Sequence, residues 1–374
     1  MKNFRAGRYV NQGFYKSFQP EFINKQLHLE NMEVMQLLSQ ADRELGRLDM
    51  FSKYIPNIDL FISMHVLKEA TQSSKIEGTQ TKIDEALLDK EDIPLDKRDD
   101  WEEVQNYIKA MEWATNELHK LPFSSRLIRE THKVLLQGVR GEKKHPGEFR
   151  TSQNWIGGAT IKDAIFIPPT PNSVSELMSD MEKFLHNDAI FLPELLKIGL
   201  VHYQFETIHP FLDGNGRVGR LLIPLYLVSR EILQNPILYL SDFFEKHRKL
   251  YYENLMLVRE KNDLNQWFKF FLVGIIETAK SGITTFDNIL QLQKNVEQDL
   301  QTLGSRIGNA KKIVDSLYNH PAIDAEKVAR IAGISMPSAY KLISTLEDLN
   351  ILNEITGGQR GRQYVFERYL SLFR

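Results

Sequence analysis

The chain has 374 residues, about 2.5 typical domain lengths, so more than one packed unit is expected. It contains no cysteine, which excludes disulfides, thiolate metal sites, iron–sulfur clusters and a thiol nucleophile. Lys plus Arg number 47 against 49 Asp plus Glu, a net charge of -2, so no global attraction to nucleic acid operates and only a local basic surface could serve. No run of apolar residues is long enough for a membrane span, and MKNFRAGRYVNQGFYKSFQP lacks an apolar core before a small-residue cleavage site, so a cytoplasmic protein is expected.

In chain order, a helix is predicted from Asn31 to about Leu48, on the recurrence of Met32, Met35, Leu37, Leu38 and Leu45. A second follows Pro56 and Asn57, from Ile58 to about Ser73, with Leu60, Phe61, Met64 and Leu67 as its apolar positions. Gly78 interrupts it. Residues 89 to 100 are charged and read as a solvated connection, before a helix from Asp100 to about Leu118. Helices are expected at 125–138, 172–187 and 193–207, around a long Gly/Pro-rich segment, 143–171. Within it, IKDAIFIPP suggests a short extended or hairpin element, because Ile165 and Ile167 are β-branched and prolines end it. The run LLIPLYLV places Pro224 early enough for a first helical turn. A break is expected at Ser281 and Gly282, then a connector helix. The last stretch reads as two short helices around Gly333–Ser335 and two strands joined by a Gly-rich turn.

The densest chemistry is HPFLDGNGRVGR, residues 209 to 220. Gly214 and Gly216 let the backbone turn its N–H groups inward at the start of a helix, whose dipole favours an anion. Arg217 and Arg220, three apart, can present two guanidinium forks to phosphate oxygens. Asp213 could hold Mg2+, which takes one or two carboxylates together with phosphate oxygens. His209 suits general base work near neutrality. Gly214, Gly216 and Gly219 meet the bare GxGxxG spacing, but no βαβ pattern surrounds them. His202, Glu206 and His209 do not form a strong zinc spacing, and packing or hydrogen bonding near the site is the expectation for the first two.

HPFLDGNGRVGR resembles the signature of the Fic domain family, HPFx[D/E]GNGRxxR, at every specified position. The resemblance implies a mainly α fold, a helical core with a β-hairpin flap, and transfer of AMP from ATP to a protein hydroxyl (Ser, Thr or Tyr, its own included) with release of pyrophosphate. It implies His209 as base, Asp213 as Mg2+ ligand, and Gly214, Asn215 and Gly216 as anion hole. Arg217 and Arg220 would hold the β- and γ-phosphates, with Val218 and Gly219 in the same nucleotide-binding turn and Phe211 as a core anchor. SSKIEG resembles the family's inhibitory motif [S/T]xxxE[G/N], with Ser73, Glu77 and Gly78 at its specified positions. Glu77 would then pair with Arg220 and force ATP into a non-productive pose. Asn154, Trp155, Ile156 and Gly157 would line the nucleotide side of the flap, and a target protein would pair with the flap near Phe166–Pro169. Arg150, in PGEFR, reads as structural. Tyr251 and Tyr252 stand where the family places aromatic contacts to adenosine, and adjacent helical residues diverge, so one of the two is expected to touch nucleotide.

The C-terminal segment resembles a winged helix-turn-helix, with Ser335, Ser338, Tyr340 and Lys341 on the second helix and Arg360 and Arg362 in the wing. DNA contact through residues 319–374 is one reading. A protein-binding or dimer-supporting role is the other, because seven Lys/Arg against six Asp/Glu after residue 320 is a weak cationic balance. The expected division is an N-terminal helical region with the inhibitory motif, 1–110, a catalytic domain, 111–278, a connector helix, 279–318, and the terminal module, 319–374, in a chain that forms a homodimer. Two other readings stay open: a nucleotide-sensing DNA-binding transcriptional regulator, and a Fic-fold enzyme that uses another nucleotide or removes AMP.

Overall fold

The computed structural model of the chain describes residues 2–54, 58–357 and 361–374; Pro56, Asn57 and Arg360 lie outside them. It opens with an antiparallel hairpin, β1 (Gly7–Asn11) and β2 (Lys16–Pro20), that the sequence pattern did not suggest. Its support is tertiary. Phe18 is fully buried against Phe166, ring centroids 5.9 Å apart, and its N–H donates to the Ile167 carbonyl at 2.8 Å.

Helices follow: α1 (Met32–Tyr54), α2 (Ile58–Ile76), the short α3 (Ile83–Ala86), α4 (Arg98–Glu117), α5 (Ser125–Leu135), α6 (Pro171–Leu185), α7 (Glu194–Ile208) and α8 (Asn215–Ser229). After these come α9 (Ser241–Lys246), α10 (Arg248–Lys261), α11 (Leu264–Gln301) and α12 (Ile307–Asn319). Every residue from Leu195 to Ile208 of α7 is buried, so this helix is the axis of the core and carries no polar face. The long α11 runs unbroken through Ser281 and Gly282, against expectation. Gly282 instead permits close approach of α1, since a Cβ there would lie 3.0 Å from Leu48 Cδ1. Pro224 lies inside α8, not in its first turn, because the helix begins at Asn215 on the Gly214 turn.

Beyond α12 come β3 (Ala322–Asp324), α13 (Ala325–Ala332), α14 (Met336–Asp348), β4 (Asn353–Glu354), β5 (Gln363–Val365) and the short α15 (Glu367–Leu370). The three strands form an antiparallel sheet of order β3-β5-β4. Asp324 caps α13 by accepting from the Lys327 N–H, and Gly333 ends it in the left-handed region, as a helix-terminating glycine does. The charged 89–100 connection is not simply solvated. Asp89 pairs with Lys327 at 2.9 Å and Asp92 accepts from Gln363 at 3.1 Å, which docks the C-terminal elements on it.

No extended strand forms at the expected flap among the described residues. Ile156 and Phe166 make an isolated antiparallel bridge that closes the loop between them. The prolines at 168 and 169 supply no further donors, so the ladder stops there.

Candidate functional site

Helix α7 ends at His209, a non-glycine residue in the left-handed region at φ 49°, ψ 62°, while its N–H still closes the last turn on the Phe205 carbonyl. The next residues loop back to Gly214, at φ 74°, and α8 starts. Asn215 braces this loop from inside: its Oδ1 accepts the Phe211 N–H and its Nδ2 donates to the Phe211 carbonyl, both at 2.8 Å. Arg150 braces it from outside, donating from Nε to the His209 carbonyl at 2.9 Å and from Nη2 to the Pro169 carbonyl at 2.5 Å. Asn154 also donates to the carbonyls of His209 and Phe211, at 3.2 and 2.9 Å. With these carbonyls tied outward, the loop leaves the first-turn amides of α8 for an anion.

His132, which drew no attention in the sequence, completes the scaffold. It stacks on Phe211 at 3.7 Å, accepts the Gly147 N–H at Nδ1 and so donates from Nε2 to the Asp213 carbonyl at 2.9 Å. Burial lowers its pKa to about 4, which keeps this tautomer neutral.

The two arginines have different partners. Arg217 Nη1 pairs with the buried Glu103 at 3.0 Å, and its Nη2 lies 3.6 Å from Asp213 Oδ1. Arg220 donates from Nε to Ser73 Oγ at 2.8 Å, and from Nη2 to the Ser73 carbonyl at 2.9 Å and to Glu77 Oε1 at 2.7 Å. Ser73 belongs to the last turn of α2, and Glu77 and Gly78 form the turn after it. Burial pushes the Glu77 carboxyl up, but Arg220, Arg217 and His209 outweigh it and hold the group below the usual carboxylate range.

Two glycines of the loop make room for carboxylates. A Cβ on Gly216 would lie 2.1 Å from Glu77 Oε1, and one on Gly219 would lie 2.2 Å from Glu206 Oε1. Glu206 is buried, its Oε1 has no hydrogen-bond partner, and burial, aided by Glu77, pushes its pKa up to about 7. Burial lowers His209 to about 4 against the opposing pull of Glu77, so its imidazole is neutral near pH 7 and free to accept a proton.

The expected adenosine aromatics part ways. Tyr251 is buried, and its hydroxyl donates to His202 Nε2 at 2.8 Å, while His202 Nδ1 donates to the Gly219 carbonyl at 2.9 Å. Both His202 nitrogens are thus used inside the protein, and no group of three metal-ligating side chains occurs among the described residues. Tyr252 is partly exposed and lies within the field of Glu77, Arg220 and Glu206, so it faces the site. In the flap, Trp155 and Ile165 are exposed and Ile156 is in the bridge. Gly157 sits at φ 71°, where a side chain would also strike Ile165. Phe166–Pro169 are buried, and their carbonyls are taken by Ile156, Phe18, Gln153 and Arg150. Arg259 ties this segment to α7. It lies 3.8 Å over the Phe166 ring and donates to Thr207 Oγ1 and the Glu206 carbonyl.

The mainly helical body, the turn at the start of α8 and the neutral histidine beside it define a helical fold that carries a candidate anion site at His209–Arg220. Residues 35–116 match the Fic/DOC family N-terminal region and residues 122–227 match the Fic/DOC family, together half of the chain. The chain belongs to the Fic/DOC family, whose homology supports a nucleotidyltransferase type of activity. It is 33% identical over 144 residues to the protein adenylyltransferase Fic of Aedes aegypti, covering 38% of this chain and 26% of that protein. The chain thus spans only about a quarter to a third of the length of the curated relatives it matches. Among solved structures, it resembles a Fic family protein from Desulfovibrio desulfuricans G20 (TM-score 0.58, 17% identity, 91% of this chain and 98% of that one). It also resembles a Fic domain containing signaling protein from Bacteroides thetaiotaomicron VPI-5482 (TM-score 0.53, 19% identity, 68% of this chain and 97% of that one). At these identities the likeness concerns the fold.

Proposed function

We propose that the chain is a protein adenylyltransferase held in an inhibited state by Glu77. The carrying observation is that Arg220, the last residue of the phosphate-type motif, already has its guanidinium bonded to Ser73 and Glu77. In the active state, His209 takes the proton of a target Ser, Thr or Tyr hydroxyl, the oxygen attacks the α-phosphorus of ATP, and the bond to the bridging oxygen breaks to release pyrophosphate. The α8 amides and Arg217 offset the charge spread over the phosphate oxygens. Arg220 joins them once Glu77 leaves.

Asp213 fits an Mg2+ ligand. Its carboxylate is 43% exposed at the mouth of the loop, beside amides suited to phosphate, and Mg2+ is commonly held by one or two carboxylates and phosphate oxygens. Bound there, the ion would supply charge neutralisation to the polyphosphate. Tyr252 is the aromatic of the pair assigned to the adenosine, and Tyr251 supports it from beneath. The target surface is assigned to the exposed Trp155–Ile165 part of the flap, since the Phe166–Pro169 carbonyls are engaged.

We assign the C-terminal elements to a winged helix-turn-helix, supported by the order α12–β3–α13–α14–β4–β5; its first helix, α12, packs against α13, so the module would begin near Ile307 and not at residue 319. Ser335, just before α14, and Ser338, Tyr340 and Lys341 on it are exposed, which suits a DNA or partner surface. The same reading keeps an N-terminal region, a catalytic domain, a homodimer and a cytoplasmic setting, but the expected boundaries at 110 and 278 fall inside α4 and α11, so neither separates two packed units. Incubation with Mg2+ and α-labelled ATP or UTP, followed by intact mass, tests the main reading. An AMP adduct on the Glu77→Gly protein, absent once His209→Ala is added, supports it. No adduct on the chain or on lysate proteins returns weight to the nucleotide-sensing regulator. Loss of AMP from a modified protein would mark the reverse reaction instead.

A further inference from the structure

The turn that carries Glu77 is bracketed by contacts from the C-terminal elements. Before it, α12 packs against α2, and the His65 ring of α2 lies between Phe286 of α11 and the buried Phe373, with centroids 5.4 and 5.2 Å away. After it, Arg374 Nη2 donates to Asp84 Oδ1 of α3 at 2.6 Å, while its Nη1 is tied to Glu367 of α15 at 2.5 Å. Lys327 of α13 and Gln363 of β5 reach Asp89 and Asp92, a few residues further along. These contacts hold positions 65 and 84–92 to one body, with Glu77 between them.

Between the two anchors, the part that must move to free Arg220 is small. Glu77 extends the last turn of α2, its N–H on the Ser74 carbonyl at 3.0 Å, and its partly exposed carboxylate meets Arg220 at 2.7 Å. Gly78 follows at φ 107°, a backbone region that favours glycine, and nothing lies within 4 Å of where its Cβ would be. It is a pivot with room to turn. Helix α4 also steadies the segment, since Asp100 accepts the Gln80 N–H at 2.9 Å and Gln105 donates to the Ala86 carbonyl at 2.7 Å. The C-terminal anchor differs in being removable. The Arg374–Asp84 and Lys327–Asp89 pairs are partly exposed, and such pairs are individually weak.

We propose that the C-terminal elements clamp the inhibitory turn: their docking on α2 and on residues 84–92 sets the fraction of molecules in which Glu77 occupies Arg220, and their undocking frees it. The turn between α2 and α3 is the two-state element that both ends bias. The coupling stands on the contacts alone. That undocking raises AMP transfer rests on the adenylyltransferase reading.

The test is amide hydrogen exchange on the full chain carrying Lys327→Glu and Arg374→Glu, which set like charges against Asp89 and Asp84 at the surface and leave the core intact. Exchange in 74–80 and 84–92 should speed up about threefold or more, as two exposed pairs allow, while α5 and α6, away from the clamp, stay unchanged. Phe373→Ala, which removes the ring beside His65, should act in the same direction. AMP incorporation from α-labelled ATP should rise in the double variant, and no further in Glu77→Gly, where the clamp has nothing left to hold. Unchanged exchange in 74–80 overturns the proposal. So does an equal gain in α5 and α6, which marks general loosening, or a rate gain of the same size in the Glu77→Gly background. Faster exchange in 74–80 with no AMP transfer from any variant keeps the clamp and rejects the adenylyltransferase reading.

Discussion

Glu77 stands over Gly216: its Oε1 lies 2.1 Å from where a Cβ on that glycine would be, and 2.7 Å from Arg220 Nη2. A loop residue read as leaving space for phosphate therefore also leaves space for a carboxylate from a distant helix end. Both occupants are anionic, and the same arginine serves either. Competition between Glu77 and a phosphate follows from charge and volume together.

Glu77→Gly should raise the rate of AMP incorporation from α-labelled ATP by about ten- to a hundredfold, the equivalent of one charge-assisted hydrogen bond of about 1.5–3 kcal/mol. An unchanged or reduced rate in a folded protein would sink the inhibitory role.

The two glycines should respond differently to alanine. At Gly219 the new methyl meets the buried Glu206 and the Phe205 ring, so urea unfolding should show a loss of about 1–3 kcal/mol. At Gly216 the clash is with the end of Glu77, a side chain 35% exposed that can swing out, so the loss should be smaller. Equal losses would contradict the difference in burial.

Arg150→Lys, made in the Glu77→Gly background, should cut the transfer rate by about tenfold or more while ATP binding persists. A lysine point charge cannot reproduce a fork that spans the His209, Ile208 and Pro169 carbonyls. A parallel loss of nucleotide affinity would mean the residue acts on the phosphate site and not on the position of His209.

Stability should fall as pH drops from about 6.5 toward 4. His65, His132 and His209 are lowered to about 4 and His202 to about 3, so the unfolded chain binds more protons in this window. Each adds a slope of up to about 1.4 kcal/mol per pH unit. Glu206, raised to about 7, works in the opposite sense: the folded state keeps its proton longer, and stability is lost as pH rises toward 7 and beyond. Glu206→Gln should therefore gain stability relative to wild type at pH 8 over pH 6. Urea midpoints across pH test both signs, and a flat difference between the two proteins would reject the Glu206 assignment.

Much of the site was legible because it is local. His209, Asp213, Gly214, Asn215 and Arg217 lie within nine residues, and a loop entering a helix builds its anion-facing amides from consecutive backbone. Ser73 and Glu77 were legible as a motif, four residues apart. Glu103, His132 and Arg259 were not, since each is an ordinary helical residue until a remote segment folds against it. Tyr251 and Tyr252 could be read as diverging, but which one turned inward depended on His202.

The amino-acid sequence by itself determined the chemistry on offer: no thiol, one histidine in a Gly- and Arg-rich turn, and a helical body around it. Only the tertiary structure decided where the charges went. It paired Arg217 with Glu103, gave Arg220 to Ser73 and Glu77, and buried Glu206 against Gly219. Such pairings depend on desolvation and on distances across the fold, which no spacing along the chain specifies. It also set Phe373 against His65 and Arg374 against Asp84, contacts between stretches that share no pattern in the sequence.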